Sequence, residues 1–149
     1  YIRDLCEQGL PFAEIEKRAA AYRDDMKTYF VLESLDNLRK NGRLSGLQAF
    51  FATTLNIKPI MAGDRGEIVK IDQARGISKA LQRMCDHAVQ SVADTKDRVL
   101  VIAHCNWPSR AMLVKDEMEK RGGFKEVIVT ETAGVATVYA NDGGIVIAF

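Results

Sequence analysis

The sequence predicts an α+β fold, a mixed β-sheet packed against helices as a two-layer sandwich. Strand-like and helix-like segments alternate irregularly along its 149 residues. A hairpin signal, Ile57 to Ala62 and Gly66 to Ile71 around Gly63-Asp64-Arg65, requires antiparallel neighbours. Arg98-Val99-Leu100-Val101-Ile102-Ala103 is almost continuously apolar, as in an interior strand, and a helical pattern follows it as a crossover.

The elements follow in order. Tyr1, Ile2 and Leu5 form the apolar face of a short helix that stops at Gly9. Pro11 opens a second helix over 12–25, with Phe12, Ile15, Ala19 and Tyr22 at helical spacing. We expect residues 1–26 to be helices left from a preceding domain and 27–149 to form the α+β domain. Lys27 to Glu33 reads as a strand, and Ser34 as the N-cap of a helix over 35–40. Asn41-Gly42 stops that helix, and Arg43 and Ser45 emerge directly after it. A cation and a hydroxyl in a glycine-flanked turn can hold an anionic group, although most turn arginines are simply solvated. The segment from Leu47 to Leu55 is apolar all round, suiting a buried helix or the lining of a greasy cavity.

Pro59 places its strand at an edge or an end. The clearest helix spans 75–93, with Ile77, Ala80, Leu81, Met84, Ala88 and Val92 on one face. Asn106 is read as the cap of the next helix, which has Pro108 in its first turn and Gly122-Gly123 at its end. Val127 to Thr130, Val135 to Val138 and Gly144 to Phe149 supply further strands. Tyr139 to Gly144 is read as turn chemistry between the last two.

Composition excludes several classes. With 21 basic and 20 acidic residues interspersed, and a formal charge of +1, there is no cationic stripe for nucleic acid. No apolar run approaches the roughly 20 residues of a membrane span, and no leader pattern is visible, so a soluble, cytoplasmic protein is expected. Cys6, Cys85 and Cys105 are three, widely spaced and without a CxxC pair, which suits a reducing compartment. Cys6 and Cys85 read as small apolar fillers. Neither a metal site nor a nucleotide cofactor is expected: the histidines are only two, and Gly42-x-x-x-Gly46 and Gly143-Gly144 match no phosphate loop.

His104-Cys105 ends a strand just before a helix, where sheets place ligands and where a thiol can be activated. The simpler expectation for His104 is a side chain satisfied by local hydrogen bonds.

Tyr29 to Gly46, followed by Leu47-x-Ala49, Leu55 and Ile57-Lys58-Pro59-Ile60, resembles the DegV family. That family carries a stretch of the form Y/F-V-L-x-x-L-x-x-L-x-x-G-G-R-I-S-G, then a helical segment, then I-K-P-I. The resemblance continues through Gly66-Glu67-Ile68, Arg75-Gly76, Ile102-Ala103-His104 and the closing strand, and matches the second half of the family. It implies a two-domain carrier that holds a long-chain fatty acid between its domains and presents it to a separate fatty acid kinase. No catalytic residue and no nucleotide site are implied in the carrier.

By the same resemblance Arg43 and Ser45 lie near the lipid head group and the kinase-docking face. Phe50, Phe51 and Leu55 are expected to line the acyl-chain pocket. The family's closing pattern, G-T-H-x-G-P-G-A-L-G-L-A-F, aligns with Thr137 to Phe149 and puts Tyr139 where the carboxylate-contacting histidine stands. A phenol donates a hydrogen bond but carries no positive charge. Two other readings compete: a small-molecule enzyme using His104 or Cys105, and an interaction module that has lost lipid binding.

Overall fold

Six strands form one mixed sheet in the order β3-β2-β1-β6-β4-β5. The structure is a computed structural model and describes residues 1–44 and 56–149. The expected segment from Leu47 to Leu55, with Phe50, Phe51 and Leu55, lies outside the described residues, as does Ser45. In chain order the elements are α1 (Ile2–Glu7), α2 (Phe12–Asp25), β1 (Thr28–Val31), α3 (Asp36–Lys40), β2 (Ile57–Asp64) and β3 (Glu67–Arg75). They continue with α4 (Ile77–Gln90), β4 (Val99–His104), α5 (Pro108–Arg121), β5 (Glu126–Glu131), α6 (Val135–Ala140) and β6 (Ile145–Ala148). β4 and β5 are parallel, joined by the α5 crossover, and every other strand pair is antiparallel.

Strand alternation sends successive residues to opposite faces, so the sheet has two cores. Register aligns Ala62, Tyr29, Ile147, Ile102 and Val129 in one transverse row. This row packs with Ala80, Met84, Cys85 and Ala88 of α4 and Ala111, Val114 and Met118 of α5. The expected face of α4 is thus the buried one. The adjacent row, Met61, Phe30, Val146, Ala103 and Thr130, points the other way. Phe30 and Met61 there join a smaller cluster with Leu32, Leu38, Leu44, Cys105 and Ala140.

Several local expectations change. Val135 to Val138, expected as a strand, is the first part of helix α6. Its β-branched residues favour a strand locally, yet Val135 and Val138 are 70% and 54% exposed while Ala140 is buried. The helical period places Ala136, Tyr139 and Ala140 on the sheet side, and tertiary packing overrides propensity. Tyr139 to Gly144 therefore joins a helix to a strand. The hairpin turn is Arg65-Gly66, with φ of 48° and 88°, and Asp64 faces Glu67. Positive φ at both central residues is the twist-compatible two-residue turn.

Pro59 lies in an interior strand, but β1 pairs only with Met61 and Ala62, so the proline overhangs that pairing. The Ser34 hydroxyl accepts the Asp36 N–H at 3.1 Å, one position before the helix cap at Leu35. Asn106 does not cap α5: Trp107 holds that position, and Asn106 takes φ of 55°. Cys6 is exposed and Cys85 buried. In α2, Phe12 is 81% exposed and every residue remains at least partly exposed, so the expected apolar face is not covered by the sheet.

Candidate functional site

The second face of the sheet carries a cavity of about 540 Å³. Its floor is the transverse row, through Phe30, Val146 and Ala103, with Leu32 beside it. α3 contributes Leu38 and the turn after it contributes Gly42 and Arg43, while α6 contributes Ala136, Tyr139 and Ala140. Thr28, Thr132 and Glu67 add polar groups to this mainly apolar lining.

Arg43 reaches the cavity because α3 stops abruptly. Asn41 is the C-cap, Gly42 takes φ of 69°, and the Arg43 N–H returns to the Leu38 carbonyl at 2.9 Å. Glycine accepts that left-handed conformation without a Cβ clash. Arg43 is exposed, and among the described residues no carboxylate pairs with it. Tyr139 is half-buried. The structure thus brings the predicted Arg43 and Tyr139 to one cavity, 96 positions apart in sequence (139 minus 43).

The segment after Tyr139 is held from two sides. Asn37 of α3 donates to the Val138 carbonyl at 2.6 Å and to Asn141 Oδ1 at 3.0 Å. Arg110 of α5 donates to the Gly143 carbonyl and to Glu33 Oε1 at 2.9 Å, and lies 4.0 Å over the Trp107 ring. A Cβ at Gly143 would come within 2.6 Å of Arg110 Nη1, and one at Gly144 would collide with the Ala140 carbonyl oxygen. Backbone collision requires glycine at 144, and a φ of 79° favours it at 143. Lys58 completes the group, 2.6 Å from Glu33 Oε2 and 2.8 Å from the Glu33 carbonyl oxygen. Burial pushes the Glu33 carboxyl up, but the hydrogen bonds and charges of Lys58 and then Arg110 outweigh it and leave it below the ordinary value.

His104 and Cys105 are both buried. Cys105 is 3% exposed and packs among Phe30, Leu32 and Leu38. His104 is 6% exposed, and its Nδ1 meets no hydrogen-bond partner among the described residues, contrary to the expected local satisfaction. His87, on α4, contacts Asp72 of β3 at 3.1 Å, and that carboxyl is lowered by the histidine and by the Gln73 N–H. Among the described residues no cluster of His, Cys, Asp or Glu could hold a metal ion, and no helix is long and apolar enough to cross a membrane.

Sequence reasoning missed Leu38, Ala136 and Val146 as lining residues, and missed Asn37, Glu33 and Arg110 as the framework behind them. Helical spacing would have found Ala136 and Tyr139 together had 135–140 been read as a helix. The contacts of Arg110 join three separate segments and leave no local pattern.

Together these features define a class: an α+β lobe with one sheet face sealed by helices and a ligand-sized apolar cavity on the other. The chain belongs to the DegV family, whose model, described as "Uncharacterised protein, DegV family", matches residues 1–149. A DegV domain-containing protein of Streptococcus pneumoniae is 30% identical over 149 residues, covering 99% of this chain and 52% of the relative. The chain thus spans about half the length of the curated relatives it matches. A DegV family crystal structure from Ruminococcus gnavus, described with vaccenic acid, superposes with TM-score 0.95 at 42% identity, over 99% of this chain and 53% of that one. The Streptococcus pneumoniae Fatty Acid Kinase (Fak) B3 protein loaded with linoleic acid gives TM-score 0.86 at 29% identity, over 99% and 52%.

Proposed function

We propose that this chain is the lipid-holding lobe of a fatty-acid carrier and is not itself an enzyme. The observation that carries this reading is the apolar cavity with Arg43 and Tyr139 in one lining. Family members similar to this chain hold vaccenic and linoleic acids, which supports a long-chain fatty acid as the ligand. Burying an acyl chain contributes roughly 0.8 kcal/mol per methylene, so the apolar lining dominates affinity. Arg43, Ser45 and Tyr139 orient the carboxylate, and Phe50, Phe51 and Leu55 extend the acyl pocket. A charge-assisted bond from Arg43 complements an anionic head group, and the Tyr139 hydroxyl adds a neutral donor.

Residues 27–149 form the lobe, and residues 1–26 belong with a second domain that covers the open face. The exposed surface of α2 supports this division. The kinship with the Fak B3 protein supports presentation of the bound acid to a separate kinase, near the Arg43 turn. The buried Cys105 thiol gives the competing enzyme reading no accessible nucleophile.

The test is lipid mass spectrometry of the full-length protein after gentle purification, followed by titration with long-chain fatty acids. A co-purified fatty acid is expected. A protein that arrives empty and ignores added fatty acid overturns the reading.

A further inference from the structure

The geometry points to Asn37 as a positioning residue for the head-group end of the cavity, a role that rests on the carrier reading above. Its amide has two N–H donors and spends both across the gap between α3 and α6, on the Val138 carbonyl and on Asn141 Oδ1. Those acceptors bracket Tyr139 in sequence, one residue before it and two after. The same helix that carries Asn37 ends at Gly42 and delivers Arg43. One side chain therefore fixes the distance between the element that carries the phenol and the element that delivers the cation.

The acceptor side is built to receive it. Asn141 is the C-cap of α6 with φ of 56° and ψ of 168°, a conformation that non-glycine residues rarely adopt. Its side chain meets Asn37 there, while the neighbouring Gly143 carbonyl is taken by Arg110. Asn37 is itself fastened, because the Asn41 amide donates to its backbone carbonyl at 2.8 Å. Elsewhere α6 is tied by the Thr137 hydroxyl, 3.0 Å from Thr132 Oγ1, and by the buried Ala140, so the Asn37 bonds are its side-chain tie to α3. Without the Asn37 amide, the end of α6 that carries Tyr139 loses both hydrogen bonds to the helix that delivers Arg43, while the apolar floor stays in place.

Positioning and simple wall-building predict different losses. Moving Tyr139 relative to Arg43 weakens recognition of a carboxylate, whereas loosening the wall weakens any ligand of that length. The full-length protein containing this chain is titrated with a long-chain fatty acid and, separately, with the alcohol of the same chain length. Asn37→Ala is expected to lose roughly five- to tenfold in affinity for the acid, and no more than about twofold for the alcohol. Equal losses for both ligands, or no loss for either, overturn the assignment.

If N37A does not fold, Asn141→Gly decides. Glycine tolerates the backbone geometry, removes the Oδ1 acceptor and leaves the Val138 bond intact. It is expected to lose about two- to threefold for the acid alone, and equal or absent losses again overturn the assignment. Wild-type protein that binds neither ligand overturns the carrier reading itself, an outcome distinct from a wild type that binds the acid and a variant that matches it.

Discussion

The two faces of the sheet use the same strands and differ in what covers them. On one, two helices of 14 residues each lay Met84, Val114 and Met118 onto Leu100, Ile102 and Ile147, and these side chains are almost wholly buried. On the other, among the described residues, helices of 5 and 6 residues cover only part of the row, and a cavity of about 540 Å³ remains. Short helices are poor stabilisers in isolation, so α3 and α6 depend on Asn37 and the loop contacts to hold their places. Division of labour follows: one face is a packed core, and the other leaves a cavity, which is the ligand site in the proposed function.

The strongest way to sharpen this contrast is Ile102→Ala on the sealed face. It should destabilise the protein by about 2–5 kcal/mol, because transfer and cavity terms add in a packed core. Urea unfolding measures it, and a loss below about 1 kcal/mol would show that the sealed face is not the stabilising one. Gly144→Ala probes the exception on the open side. Its new Cβ meets the Ala140 backbone, which cannot swing away, so a loss of about 1–3 kcal/mol is expected in the same assay. Val146→Ala, on the cavity floor between Phe30 and Ala103, should cost only about 1 kcal/mol, since its side chain is only partly buried.

A pH titration separates the loop framework from both faces. The Glu33 carboxyl is lowered in the folded protein, so the unfolded chain binds more protons in the acid window. Its contribution is fully present above the unfolded value of about 4.3 and is lost as pH falls through the lower folded value. Glu33→Gln should flatten that acid-side fall in stability, and an unchanged pH profile would show that the Lys58 and Arg110 contacts do not couple to folding. Smallest of all, Tyr139→Phe should shift stability by less than about 0.5 kcal/mol. On the proposed function, the full-length variant is expected to bind a fatty acid more weakly by calorimetry, a ligand effect and not a folding one.

Much of this architecture was legible from periodicity. The face of α4, the interior strand at Val99–His104 and the Gly42 stop all follow local rules. The error at Val135 to Val138 has a definite cause: two valines and a threonine favour strand, and only the cavity-facing spacing of Ala136, Tyr139 and Ala140 reveals the helix. Arg43 stood out from its glycine-flanked turn and took a head-group role only through resemblance to a family, and Tyr139 was reached through that resemblance alone. The floor of the cavity could not be listed from sequence, because register across β1, β6 and β4 decides which of each alternating pair faces it. Asn37 and Arg110 were invisible for a related reason, as their partners lie 101 and 33 residues away.

The position of β6 has one more consequence, for how the chain comes together. Ile145 to Ala148 is the last strand in chain order, yet it lies between β1 and β4 and joins the two halves of the sheet. Tyr29 must wait for Ile147, 118 residues later (147 minus 29), before the central pair can form. Before β6 is in place, β1–β2–β3 and β4–β5 share no strand pair, and each set ends in an open edge. Pairing across such a distance in sequence is slow, because the entropy of closing the loop is lost before the contacts compensate it. The sheet is completed when β6 enters between β1 and β4.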